Sequence, residues 1–185
     1  MSSGSKPVNA SGFALLEILI AAGLIATIAA GASILAALAW HASRQSNVRT
    51  MATIVAVEKM EQLRSLAWTH VTTTGPAISM SYSDVTTDLS NDPATDDGPG
   101  LLASPAGTLT SNIIGYVDYL DANGRWIGHG PSAPPTAVYV RRWAVRAHAS
   151  DPDNTLVFEV VAGTGGRAGA TLSDMIRLVT IEARK

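Results

Sequence analysis

Glu17 is the only ionisable residue between Phe13 and Trp40, in a stretch otherwise made of apolar, small or hydroxyl side chains. A carboxylate costs several kcal/mol in hydrocarbon, so an acid in such a run normally has a partner and a task. Glu17 lies five residues into the run. On the first turn of a helix there, its carboxylate could reach the membrane surface or meet the positive end of the helix dipole. Gly12 stands just ahead of the run and has no side chain.

Other chemistry-bearing residues do not converge. Asp84, Asp88, Asp92, Asp96 and Asp97 could supply oxygens to calcium, but their spacing matches no EF-hand loop, and a solvated acidic loop is the expectation. Asp118, Asp121 and Asn123 gather near a turn and are expected to stabilise it. His41, His70, His129 and His148 are dispersed, with no HExxH and no GxSxG. The Gly-rich string GTGGRAG precedes no helix and lacks GK[ST], so it is not a phosphate loop. Arg125, Arg141, Arg142 and Arg146 lie near Trp126 and Trp143, a modest cationic set that could stack on nucleic acid. Against that stand a net charge of −2 and a pI near 6.0. The chain has no cysteine, which excludes a disulfide framework, a thiolate metal site and a thiol nucleophile. No enzyme and no cofactor are expected.

The elements that carry these residues follow from patterning. Charged residues make up only 15%, and the mean hydropathy is +0.19. Residues 13–40, read as a helix, would span about 42 Å, more than the roughly 30 Å hydrocarbon core. The run is longer than the apolar region of a secretory signal peptide. No proline falls between Pro7 and Pro76, so the helix can continue. From His41 the pattern turns amphipathic: Val48, Ala52, Ala56, Met60, Leu63 and Ala67 share one face, widened by Met51, Val55 and Leu66. That face is expected to pack on the chain's own globular part, leaving Ile54 and Val57 outward for contacts between subunits. Residues 68–112 read as a loop. Strand signals follow at Ile113–Leu120, a turn at Asp121–Gly124 and a return at Arg125–Ile127. Further strands are expected at Val138–Ala149, Thr155–Val161 and Met175–Ala183. The fold class is α+β, a long N-terminal helix packed on an antiparallel sheet of four or five strands.

The string GFALLEILIAAGLIATIAAG, behind a short polar leader holding Lys6, resembles the class III signal of type IV prepilins and pseudopilins. The family pattern is a positively charged leader, a Gly, a Phe and a Glu as fifth mature residue, and all four are present. The resemblance implies cleavage by prepilin peptidase between Gly12 and Phe13, and N-methylation of Phe13. It also implies that Glu17 offsets a neighbour's N-terminal amine during assembly. Desolvation cancels much of such a pair's attraction, so it would set register more than stability. VAVEKMEQLRSL is similar to the segment after the membrane helix in PilV-type minor pilins and minor pseudopilins of type II secretion. YVRRWAV and MIRLVTIEA are similar to the C-terminal sheet of minor pilins. Some pseudopilins use calcium, and some pilins bind DNA.

On that resemblance the chain divides into a leader (1–12), a transmembrane and filament-core helix (13–40), its amphipathic continuation (41–67), an exposed loop (68–112) and the sheet (113–185). The expected partners are other pilins or pseudopilins, the peptidase, an inner-membrane assembly platform and the membrane itself. The expected location is the inner membrane as a single-pass protein, then a pilus or periplasmic pseudopilus. A positive-inside count, with Lys6 ahead of the run and Arg44 and Arg49 behind it, points the other way. The leader takes precedence because a dedicated peptidase reads it. The alternative is a membrane-anchored extracytoplasmic binding domain that never polymerises.

Overall fold

The computed structural model describes residues 11–68, 83–165 and 175–184. Residues 1–10 of the expected leader, His70 and most of GTGGRAG lie outside them. The element order is one helix, α1 (Ser11–Leu66), followed by five strands: β1 (Val117–Leu120), β2 (Trp126–His129), β3 (Tyr139–Ala147), β4 (Thr155–Thr164) and β5 (Ile176–Ala183). The chain forms two compact units, residues 1–46 and 47–185.

In the first unit, α1 is exposed on every side from Leu15 onward. Two of its hydroxyl groups are satisfied within the helix. The Thr27 hydroxyl donates to the Leu24 carbonyl (2.8 Å) and Ser33 to Ala29 (2.8 Å). Self-satisfied backbone and hydroxyl groups on a surface that as far as Trp40 is apolar but for Glu17 are what hydrocarbon demands of a helix. This is the one helix among the described residues long and apolar enough to cross a membrane.

In the second unit, α1 buries Ala52, Val55, Ala56, Lys59, Met60 and Leu63. Those positions recur at steps of 3, 1, 3, 1 and 3, the face of an amphipathic helix. Ile54 and Val57 are exposed, as the periodicity predicts, and so is Val48, which the sequence places on the buried face. That face meets Trp143, Val145, Leu156, Phe158 and Val160 of the sheet in one core. The five strands are antiparallel in the order β2-β1-β3-β4-β5. An α+β fold with α1 on a five-stranded antiparallel sheet is therefore the observed architecture.

Three local departures have physical causes. The first strand begins at Val117 rather than Ile113, because Gly115 takes φ +84 and interrupts the extended backbone. A Cβ at Gly115 would also meet Pro99 at 2.7 Å. The return strand is shifted to Trp126–His129, with an irregular register between Tyr119 and Leu120. Finally, the described part of the segment before β1 is not uniformly exposed: Asp92 to Asp97 face solvent, but other residues turn inward. Leu89 and Leu101 are buried in the main core, and Ser83, Ser90 and Thr108 are buried as well. Isolated leucines in a turn-rich segment carry no periodicity, so their inward direction leaves no pattern to read.

Candidate functional site

Two places concentrate charge in apolar surroundings. The first is Glu17. It sits on the exposed surface of α1, in an open groove beside Leu16, Ile20, Ala21 and Leu24. Among the described residues it makes no ion pair and no hydrogen bond. Gly12 and Phe13 belong to the helical backbone, and the side chain of Phe13 lies outside the described set. The carboxylate is thus presented outward.

The second is internal, and patterning alone does not single it out. Lys59, Asp118 and Arg141 are 1%, 0% and 3% exposed. Arg141 grips Asp118 with two parallel bonds, Nε to Oδ1 at 2.8 Å and Nη2 to Oδ2 at 2.7 Å. Lys59 Nζ lies 2.9 Å from Asp118 Oδ2 and donates to the Leu89 carbonyl at 2.7 Å. It also stands 4.5 Å from the centroid of the Trp143 ring. Arg141 Nη1 reaches the Val55 carbonyl at 3.2 Å and the half-exposed carboxylate of Glu58 at 3.3 Å. Two buried cations face one buried anion, and Glu58 supplies the fourth charge at the rim. Burial pushes the Lys59 ammonium below its ordinary value, Asp118 opposes that shift, and Arg141 adds to it.

The network ties α1 to β1, β3 and the loop at Leu89. Its rim opens into a polar cleft of about 260 Å³ lined in part by Glu58, Arg125 and Trp126. Asp118 therefore does not stabilise the neighbouring turn, as the sequence reading expects. Its position in β1 points it at the helix, opposite Arg141. Asp121 does hold the turn, accepting from the backbone N–H groups of Asn123 (2.8 Å) and Arg125 (2.9 Å). A signal for the network existed. Lys59 falls on the same helical face as Val55, Ala56 and Leu63, and Arg141 shares a strand face with Tyr139 and Trp143.

The remaining candidates are dispersed into local roles. Asp84 accepts from the backbone of Thr86 (2.8 Å) and Thr87 (3.0 Å), and Asp88 from that of Ser90 (2.9 Å), so both cap turns. Among the described residues no group of three or more His, Asp or Glu is placed to hold a metal ion. The cationic set also dissolves. Arg142 bonds Asn112 Oδ1 (2.9 Å) and Arg146 pairs with Glu159 (3.8 Å), while Trp143 is fully buried. Among the described residues, Arg125 alone of the four has no partner for its guanidinium.

Comparison with protein-family models, curated proteins and solved structures returned no match.

Proposed function

We propose that this chain is a type IV pilin-like subunit, a minor pilin or pseudopilin of a type IV pilus or type II secretion filament. It is stored in the inner membrane, cut after Gly12 and assembled through α1. The observation that carries the reading is the placement of Glu17. It is the sole charge within residues 13–40, the exposed apolar part of α1, five residues beyond Gly12, and the same helix continues into a face packed on an antiparallel sheet. A lone outward carboxylate there has a use if a second chain's amine meets it. Its partners are then other pilins or pseudopilins, prepilin peptidase and the assembly platform. On this reading the protein works by polymerising, catalyses nothing and needs no cofactor.

The test is the intact mass of the membrane-extracted protein, coexpressed with a prepilin peptidase. Loss of residues 1–12 and gain of one methyl group on Phe13 is the expected result. An uncut chain, with the peptidase active on a control substrate, would leave a membrane-anchored domain that does not assemble.

A further inference from the structure

From Ile18 to Val57 the sequence carries only two formal charges, Arg44 and Arg49, and no acid. Arg44 follows the end of the apolar run by one helical turn. Its guanidinium lies 4.3 Å from the centroid of the Trp40 ring, and His41 meets the same indole edge-on at 6.3 Å between centroids. All three are exposed, and no carboxylate among the described residues pairs with Arg44. An indole whose face holds a cation is amphipathic in the sense of the membrane–water boundary, with an apolar body and a charged cap.

Helix arithmetic supports that placement. If all of residues 13–40 lay in hydrocarbon, about 42 Å of helix would have to fit roughly 30 Å, a tilt near 45°. From Glu17 to Trp40 the rise is about 35 Å, which fits at roughly 30°, within the usual range of tilts. Glu17 then stands at one boundary and Trp40 at the other. Residues 41–47 are HASRQSN, about 10 Å of polar helix, comparable to one headgroup layer.

We propose that Trp40 and Arg44 form a collar that binds the phosphate of an anionic lipid headgroup, the guanidinium held over the indole donating to the phosphodiester oxygens. The collar fixes the depth of the span. The inference rests on the membrane-spanning part of the function proposed above and is independent of cleavage and polymerisation. The planar guanidinium suits two-point contact with phosphate, and stacking on the indole holds it ready for that contact.

The absence of cysteine makes the test clean. The full chain, with Leu35→Cys, Leu38→Cys, Ser43→Cys or Ser46→Cys introduced singly, is reconstituted in phosphatidylcholine vesicles with or without phosphatidylglycerol. The rate of labelling by a membrane-impermeant maleimide is read against the detergent-solubilised protein. Positions 35 and 38 should be protected and position 46 labelled in both membranes. Labelling at 43 should slow about fivefold when phosphatidylglycerol is added, the effect of one basic residue at an anionic surface. Arg44→Gln should abolish that slowing and leave positions 38 and 46 unchanged. Equal slowing in Arg44→Gln would overturn the phosphate assignment, as would slowing by inorganic phosphate on phosphatidylcholine alone. Protection extending through 46 would misplace the collar. Labelling at 35 and 38 as fast as in detergent would defeat the spanning reading itself, which separates that failure from the collar's.

Discussion

Asp118 stands between two cations, and the cost of disturbing the network depends on which charge is removed. Asp118→Asn leaves Lys59 and Arg141 buried without their anion. Removing one partner of a buried pair typically costs about 3–5 kcal/mol, and here two cations are stranded. Lys59→Met keeps the volume, leaves the bidentate Arg141–Asp118 pair intact and deletes one desolvated charge. Its cost should be under about 1.5 kcal/mol, or even a gain. Urea unfolding of the detergent-solubilised chain measures both, and a Lys59→Met as damaging as Asp118→Asn would refute this apportionment. The same lysine has a pH signature. Its folded value is depressed below 10.5, so between the two values the unfolded chain binds more protons than the folded one. Stability from this group therefore rises as pH climbs through that interval. Buried Tyr116, Tyr119 and Tyr139 have raised values, keep their protons longer when folded, and act in the opposite sense at higher pH. Comparing wild type with Lys59→Met from about pH 8 to about pH 10 isolates the lysine, since the tyrosines cancel in the difference. Equal pH slopes for the two proteins would show that Lys59 does not titrate there. Glu17 belongs to the same scale. If its partner is another chain's amine, Glu17→Ala should leave processing at Gly12 intact and reduce incorporation into filaments, scored by the sheared fraction on immunoblots. Normal incorporation would remove its pairing role.

The elements were legible to unequal degrees. The helix was plain because an apolar run and a 3.6-residue stripe occupy one proline-free stretch. The strands were legible because Tyr139, Arg141, Trp143 and Val145 alternate with Val140, Arg142 and Ala144. What periodicity cannot show is a polar residue whose partners are distant in sequence: Asp118 reads as a turn residue, and its pairing with Lys59 emerges only when α1 and β1 are brought together. For the same reason the segment before β1 read as wholly solvated, although Leu89 closes over Lys59 and Leu101 enters the core. This yields a prediction that a mobile loop would not meet. Leu101→Ala should destabilise the second unit by about 2–5 kcal/mol, like other buried leucines cut to alanine. Leu102→Ala, one residue on and exposed, should change stability by less than about 0.5 kcal/mol. Two urea transitions with the same midpoint would mean that the segment does not hold to the sheet.

At the scale of the molecule, the question is what the outward face of α1 beyond its apolar run is for. Within residues 47–185 the helix satisfies the sheet with Ala52, Val55, Ala56, Met60 and Leu63, yet Ile54 and Val57 remain exposed on a different side. Two apolar residues three apart on a helix form one small patch, too small for a stable interface alone. Along a filament the patch would add to the far larger burial of the apolar helices, where each chain meets several copies. Ile54→Lys combined with Val57→Lys tests this, because lysine is a good helix former and the sites touch nothing in the core. The urea midpoint of the solubilised chain should stay within about 0.5 kcal/mol of wild type, as for other surface changes. Membrane insertion and cleavage after Gly12 should also be unchanged, while the sheared filament fraction falls several-fold. If stability drops instead, the pair packs within its own chain and the patch is not an interface. If filaments form normally with the charges in place, contact between subunits is confined to the apolar half of the helix, and the amphipathic half serves only to carry the sheet.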